Sequence, residues 1–535
     1  MVRARPGAAR SSRPPQPGVH RGHGRDLPAA AGPHPGRPRV PAERPGQPSH
    51  PPEGPGGGPQ PVRVAAVTSG PRPARVVVVG GGLAGLSAAV EAADRGATVT
   101  LLERRPRLGG ATWSFERNGV WFDNGQHVFM RCCTAYRAFL ERIGSAGGAS
   151  MQSRLDVVVM APGGPVGSIR RTPGPAPLHL APALLSYPHL SLRQRLAVLR
   201  AGLALRRLDP DDPALDDVTF GDWLAARGQD TTAIETFWDL IVLPTVNAGA
   251  ADASLKLAAK VFVTGLLTEA GAADIGWARA PLSALHGDAA RRALEAAGGE
   301  VRARVPVKSV RTGPAGLEVQ TDEQVVEADS VVVAVPHDAV AELLPSGTVA
   351  AQDRLVELGA SPIVNVHLVY DRPVTDLDFF ATVGSDAQYV FDRTAGAGLD
   401  DGRQCLAVSL SAAESYIGMA SADLVSHFTA EIARLLPAAS EATVTESIVT
   451  RENTATFLGA PGTDSLRAGA ESGLPGVYLA GAWTDTGWPA TMEGAVRSGI
   501  GAGRLAARFA SRCAGGEAPG SAGRYSGLRP GAVRE

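Results

Sequence analysis

From Arg75 onward the chain reads as short apolar runs separated by helical stripes. Residues 75–80, RVVVVG, form a continuous apolar run of the kind that lies buried on both faces in a parallel sheet. In the next segment, 83–96, Leu83, Leu86, Ala89, Val90 and Ala93 recur at helical spacing and share one face. Residues 98–103, TVTLLE, predict a second strand. Strand, helix and strand in this order make a βαβ unit. Further along, 131–145 predicts a helix. Residues 155–170 predict a hairpin around Pro162-Gly163-Gly164-Pro165. Residues 176–208 are rich in Leu and Ala at helical spacing, interrupted by Pro177, Pro182 and Pro188. A strand-rich stretch covers 300–335. Residues 361–374 alternate apolar and polar positions and predict a half-buried strand. A last buried strand is expected at 476–481 and a last helix at 490–508.

Residues 1–73 break the pattern. They hold 18 of the 42 prolines and no Phe, Tyr, Trp or Ile. Such a segment buries too little apolar surface to offset its ordering entropy, so a disordered tail is expected there, and a shorter one at 513–535. Residues 1–75 carry twelve Arg, no Lys and three acids, within a chain of 535 residues whose formal net charge is −1. Two readings stand: a basic tail that touches anionic lipid or nucleic acid, or a translation start placed upstream of one near Val64 or Val67.

The remaining composition is that of an ordinary globular protein of two or three domains, with no overall charge that would draw it to nucleic acid. Cys132, Cys133, Cys405 and Cys513 lack metal-ligand spacing, so reduced thiols and a cytoplasmic location are expected. No apolar run reaches the roughly 18 residues of a membrane span.

The chemistry starts at the first strand-to-helix turn, GGGLAG. Gly80, Gly82 and Gly85 fit G-x-G-x-x-G, with Leu83 and Ala84 opening the helix. In such a turn the second glycine lets a diphosphate approach the backbone, and the helix N-terminus presents free N–H groups to it. Glu103 ends the second strand, 23 residues after Gly80, where an acid accepts hydrogen bonds from adenosine ribose hydroxyls. Strand, turn, helix, strand and acid at these offsets together predict a dinucleotide site. The stretch 163–168, GGPVGS, imitates such a turn but leads through Pro165 into a hairpin, so no second dinucleotide site is expected.

Two further segments select the cofactor. ERRPRLGGATWSF (103–115) places Gly109-Gly110 just after the unit, and GVYLAGAWTDTGWPATMEGAVRSG (476–499) runs strand, glycine, loop and helix. These segments resemble the first and last signatures of the flavin amine oxidase and carotenoid desaturase superfamily. The resemblance implies an α/β fold with a discontinuous Rossmann-type FAD-binding domain (74–150, 275–345 and 470–512). A mixed-sheet and helical substrate domain (151–274 and 346–469) is inserted in it. It implies FAD as cofactor, with Arg104 beside Glu103, Gly109 and Gly110 at the diphosphate and flavin, and Gly481, Met492 and Glu493 at the ribityl chain and flavin edge. GGEVRARVPVKSV (298–310) resembles the strand whose backbone, at Val307, contacts adenine. Two positions depart from the pattern: Ala111 stands where Arg often follows the double glycine, and Ala482 where an acid usually follows the last glycine, with Asp485 a candidate to compensate.

Finer resemblance is carried by VWFDNGQHVF (120–129), SPIVNVHLVYDRPV (361–374), QYVFDR (388–393), RENTATF (451–457) and WTDTGWPATMEGAVRSG (483–499). Together they resemble the squalene-associated FAD-dependent desaturases, the hydroxysqualene dehydroxylases, over about Arg75 to Arg508. The resemblance implies reductive loss of a hydroxyl from a long isoprenoid. Such chemistry needs an acid for the leaving hydroxyl, a desolvated site and an apolar channel. Asp123, Gln126 and His127 of the D-N-G-Q-H segment are the catalytic candidates. His127 is the candidate proton donor, and Asp123 is placed to orient it or to stabilise a cation; Asp485 is a second candidate acid. The same segment reads equally as a turn before Gly125 with a structural histidine. His179, His189 and His337 read as structural.

A membrane-resident substrate makes 176–208 a candidate interfacial surface, its leucines and Tyr187 interleaved with Arg193, Arg195, Arg200, Arg206 and Arg207; an amphipathic cap helix is the other reading. No nucleic-acid partner is expected, and the electron donor to FAD is left open. A carotenoid-type desaturase and a non-catalytic isoprenoid carrier remain as rival functions.

Overall fold

The computed structural model describes residues 72–314 and 316–515. The expected tails fall outside these residues except at their inner edges. There Arg72 pairs with Asp329 at 2.7 Å, and the last helix, Met492–Ala514, runs past the expected end at 508.

The apolar runs assemble a five-stranded sheet in the order Glu300–Ala303, Thr98–Glu103, Arg75–Val79, Ser330–Val333, Val477–Leu479. All four pairings are parallel. Parallel neighbours require crossovers that cover both faces, and Val76–Val79 and Val331–Val333 are accordingly buried throughout. Helix Leu83–Asp94 packs against Met492–Ala514. Close approach depends on Gly499, where a Cβ would stand 2.1 Å from the Ala84 carbonyl oxygen. A three-stranded antiparallel meander, Val307–Gly313, Gly316–Thr321 and Val325–Ala328, precedes the strand Ser330–Val333. The fold is α/β with a Rossmann-type nucleotide-binding region built from chain segments far apart in sequence.

A seven-stranded mixed sheet forms the second body of structure. Its order is Val444–Thr456, Ser361–Tyr370, Gln404–Ser411, Tyr389–Asp392, Phe379–Thr382, Asp156–Met160, Gly167–Arg170. The last two strands are the expected hairpin. Ser361–Tyr370 departs from expectation. Instead of a half-buried strand it is an inner strand covered on both faces. Val364, Val366, Leu368 and Tyr370 pack with Leu424, Phe428 and Ile432 of helix Ser421–Leu435. The alternate positions Asn365 and His367 are also buried, because they face the segment 123–126 and not water.

Helices Ala181–Ser186, Leu192–Leu205, Asp239–Val246 and Leu255–Phe262 lie beside this sheet. The proline interruptions in 176–208 fall between helical turns or at their starts, where a missing N–H costs little. Two wide helical turns, Ile234–Trp238 and Val263–Leu267, contribute to an apolar cavity described below. The four cysteines are free, and among the described residues no helix is long and apolar enough to cross a membrane.

Candidate functional site

Three adjacent parallel strands end at Gly80, Ala334 and Gly481, the edge at which open α/β sheets bind ligands. Gly80 donates its N–H to the Leu102 carbonyl at 2.8 Å, which sets the turn. Gly85 cannot carry a side chain: a Cβ there would lie 1.9 Å from the Gly80 carbonyl oxygen. Gly82 is different. A Cβ there would meet nothing nearer than the Gly110 Cα at 3.8 Å, so the space in front of it is open. Gly109 donates to the Gly81 carbonyl at 2.8 Å, which brings the two glycine turns backbone to backbone. No side chain caps the helix that starts at Leu83, so the first amides, at Leu83 and Ala84, face this opening without a capping partner. Glu103 is buried; its carboxylate accepts from Gly81 N–H at 2.6 Å and Arg105 N–H at 2.7 Å. Each oxygen keeps a lone pair for a further donor.

At the other strand end, Gly481 N–H donates to Ser498 Oγ at 2.9 Å, and Thr491 caps the last helix by accepting from Gly494 N–H at 3.2 Å. Arg467 holds the intervening loop. It is buried, and its guanidinium donates to the carbonyls of Trp483, Thr484 and Trp488 and to Asp464.

The D-N-G-Q-H segment lies against the second sheet. Asp123 is buried and accepts from Ser114 Oγ at 2.6 Å, Leu282 N–H at 3.1 Å and Arg393 Nη2 at 2.6 Å. Asn124 accepts from Trp113 N–H at 2.9 Å and donates to Ala111 O and Glu452 Oε1, both at 2.8 Å. Asn365 accepts from Gln126 N–H at 3.3 Å, and Thr450 Oγ donates to the Asn124 carbonyl at 2.8 Å. Gln126 and His127, with Trp277, Phe391 and Arg393, line a narrow crevice. Within it the Gln126 Nε2 amide is buried and has no acceptor. His127 Nδ1 lies 3.0 Å from the Gly125 carbonyl, which makes Nδ1 the protonated nitrogen and Nε2 an acceptor. Burial pushes the His127 pKa down, so the ring is neutral near pH 7.

An apolar cavity, partly open to solvent, lies among the helices, walled by residues such as Leu184, Leu199, Leu203, Phe237, Trp238 and Leu266. Trp238 and Leu266 belong to the same hydrophobic core as Phe391 of the crevice.

The sequence model for flavin containing amine oxidoreductase matches residues 83–506, well over half of the chain. The chain belongs to this flavin amine oxidoreductase family. A model for pyridine nucleotide-disulphide oxidoreductase also matches, over residues 30–128. Among curated relatives, zeta-carotene desaturase of Zea mays is 25% identical over 465 residues, covering 79% of this chain and 81% of that protein. Hydroxysqualene dehydroxylase of Rhodopseudomonas palustris is 28% identical over 436 residues, covering 79% and 96%. The 15-cis-phytoene desaturase of Synechococcus elongatus is 27% identical over 452 residues, covering 79% and 93%. Among solved structures, putrescine oxidase bound to putrescine superposes with a TM-score of 0.61 at 19% identity, covering 81% of this chain and 99% of that one. Cyclohexylamine oxidase from Brevibacterium oxydans gives 0.61 at 18% identity, covering 82% and 99%. The chain is thus an FAD-dependent oxidoreductase of this family.

The residues present fit a dinucleotide: an open cradle at Gly82, uncapped amides at Leu83 and Ala84, and a buried acid at the second strand end. Of the predicted cofactor residues, Gly80, Gly82, Leu83, Ala84, Gly85, Glu103, Gly109 and Gly110 form one cluster. Val307 starts its strand two residues after Val305, whose N–H donates to the Glu103 carbonyl at 2.9 Å, so it lies on the same flank. Arg104 is exposed and Met492 is half-buried in the helix core.

Two of the predicted residues have side-chain partners elsewhere in the chain. The first is Glu493. It is buried, accepts from Ala135 and Tyr136 N–H at 3.1 and 2.7 Å, and pairs with Arg497 at 2.6 Å; it thereby caps helix Thr134–Arg142 and offers a cofactor only its backbone. Asp485 is exposed, and its carboxylate accepts from Gly487 N–H at 3.2 Å as a turn residue. It lies outside the crevice, so the role of acid does not suit its position. Asp123 accepts from Ser114, Leu282 and Arg393 and makes no hydrogen bond to His127, so it orients that ring only through the backbone of the segment.

Arg393, Asn365, His367, Thr450 and Glu452 were not predicted as site residues, yet all meet the D-N-G-Q segment. All but Thr450, which directly precedes residues 451–457, lie inside a segment that carried the finer resemblance, and Asn365 and His367 stand as polar positions in an otherwise apolar strand.

Proposed function

We propose that the protein catalyses the FAD-dependent reductive dehydroxylation of hydroxysqualene to squalene, a step of bacterial squalene and hopanoid synthesis. The observation that carries this reading is the buried, acceptor-free Gln126 Nε2 amide in the crevice beside His127. A buried donor without a partner is costly, and a substrate hydroxyl satisfies it whereas a pure hydrocarbon does not. The apolar lining of the cavity suits part of a thirty-carbon chain, at about 0.8 kcal/mol per buried CH₂.

Gln126 binds and orients the hydroxyl oxygen. His127 must first take up a proton at Nε2, the bare nitrogen of its neutral ring; burial makes that protonated form a stronger acid, which passes the proton to the hydroxyl as water leaves. Reduced FAD, when bound, supplies the hydride that replaces the hydroxyl. Trp277 and Phe391 keep water from the carbon left electron-poor. The Asp123–Arg393 pair holds the segment in place.

Anaerobic mixing of chemically reduced enzyme with hydroxysqualene tests this. Squalene release with stoichiometric flavin reoxidation is expected; no squalene in a single turnover refutes it. The second reading, a carotenoid-type desaturase, draws on the 25–27% identity to the carotene and phytoene desaturases. It predicts instead that oxidised enzyme is bleached by a polyene hydrocarbon. A non-catalytic isoprenoid carrier would purify colourless.

A further inference from the structure

We infer that the helical hairpin 178–205 docks on an anionic lipid bilayer and admits the apolar substrate directly from it. This rests on the proposed apolar substrate only for what passes through; the docking itself stands on the surface. Twelve large hydrophobic residues are exposed among those described, and five of them, Leu178, Leu185, Leu192, Leu196 and Leu203, fall within this one segment. Leu192 and Leu178 are each 63% exposed. Leu192, Leu196, Leu199 and Leu203 follow one another at helical intervals and form a single stripe on Leu192–Leu205. Concentration on one stripe distinguishes this surface from scattered exposed leucines, which need no explanation.

The stripe leads inward. Leu199 and Leu203 also line the apolar cavity, together with Leu180, Ala183 and Leu184 of the facing helical turns. Leu203 is 40% exposed, so the cavity opens to the surface between the two helices.

Charge identifies the occupant. Between Val157 and Leu208 the chain has seven arginines and no Asp or Glu. Arg170 and Arg171 are paired with Asp156 and Asp274. Arg193, Arg200, Arg206 and Arg207 are exposed and form no ion pair among the described residues. Arg193 and Arg200 flank the leucine stripe on one side, and Arg195 lies on the other, bonded to the Leu190 carbonyl at 2.9 Å. Beside the stripe, Asp230 accepts from the Gln194 side chain at 3.0 Å, and the exposed Asp209, Asp211 and Asp212 follow Arg206 and Arg207 beyond the helix end, so Arg193 and Arg200 are the arginines that border the stripe itself. An apolar stripe bordered by unpaired arginines matches an interface of acyl chains beneath anionic headgroups.

The test uses the full-length, flavin-loaded protein and sedimentation with vesicles of phosphatidylcholine, with and without phosphatidylglycerol. Binding is expected to the phosphatidylglycerol vesicles, weakened by salt, and lowered about tenfold or more in both Leu192→Ser/Leu196→Ser and Arg193→Gln/Arg200→Gln. None of these four side chains lines the cavity, so flavin content, melting temperature and turnover of detergent-dispersed hydroxysqualene should stay unchanged. Failure of that turnover in the unmodified protein would refute the proposed reaction and leave docking intact. Three results would overturn the docking: no sedimentation with either vesicle; binding undiminished in both variants, which places attachment elsewhere, as in the arginine-rich residues 1–71; or self-association that the leucine variant abolishes without any vesicle binding, which makes a second copy the occupant.

Discussion

Arg393 donates through Nη2 to Asp123 Oδ2 at 2.6 Å across 270 residues of sequence, and both side chains are buried. The pair joins the end of the strand Val120–Asp123 to the seven-stranded sheet at the point where the crevice forms. Arg393 also donates to the Ala278 carbonyl, and Ser114 and Leu282 both donate to Asp123 Oδ1. A carboxylate so surrounded positions its neighbours, and that geometry is what leaves Gln126 and His127 to meet a substrate.

Breaking this pair from one side should strand a buried charge. Arg393→Met is expected to cost about 3–5 kcal/mol in urea unfolding, and Asp123→Asn less, since the amide still accepts from Ser114 and Leu282. The double variant should lose less than the sum of the two. Additive losses would show that the two groups do not stabilise each other.

The two glycines of the turn should separate folding from cofactor binding. Gly85→Ala forces a Cβ against the Gly80 carbonyl and should destabilise the apoprotein by about 3 kcal/mol. Gly82→Ala meets only the Gly110 Cα, at an ordinary contact distance of 3.8 Å, and has an extended backbone, so it should cost the apoprotein about 1 kcal/mol or less. It fills the cradle, however, and should weaken FAD binding by about tenfold or more, read by quenching of flavin fluorescence. Equal FAD affinity in Gly82→Ala and the unmodified protein would place the diphosphate elsewhere.

Acid should destabilise the fold through its buried imidazoles. Burial lowers His367 to about 4 and His286 to about 3 from an ordinary 6.5. The folded protein therefore refuses protons that the unfolded chain takes up below pH 6.5. Stability should fall as pH drops from about 6.5 to about 4, by about 1.4 kcal/mol per pH unit for each ring, and be retained above that window. His367→Gln, which keeps a donor for the Asp123 carbonyl, should flatten the slope of unfolding free energy between pH 7 and 5; an unchanged slope would remove His367 from the account.

The two remaining candidates of the proposed reaction should differ in weight. Gln126→Leu removes the orphaned donor and should lower kcat/KM for hydroxysqualene by about tenfold or more. Asp485→Asn alters only an exposed turn and should change it by less than about twofold. The reverse ranking in steady-state assays would return the acid role to Asp485.

Much of the nucleotide half was legible in advance because its signals are local. A valine run, glycines at fixed offsets, one helical face and an acid at the next strand end lie within residues 75–103, and short-range sterics dictate what they form. The strand Ser361–Tyr370 misled for the opposite reason. Polar side chains at alternate positions signal water only when nothing else faces them, and Asn365 and His367 face a loop some 240 residues earlier in the chain. The side-chain partners of Glu493 were hidden similarly, because an acid in the first turn of its own helix can cap another helix.

By itself, the order of residues determined the βαβ unit, the glycine cradle and the apolar, basic character of 176–208, since periodicity, backbone sterics and charge act between near neighbours. Only the tertiary structure decided which acid is neutralised, which donor is left without a partner and which leucines remain outside. Those outcomes depend on desolvation and on partners brought together from distant segments, and burial is a property of the assembled fold.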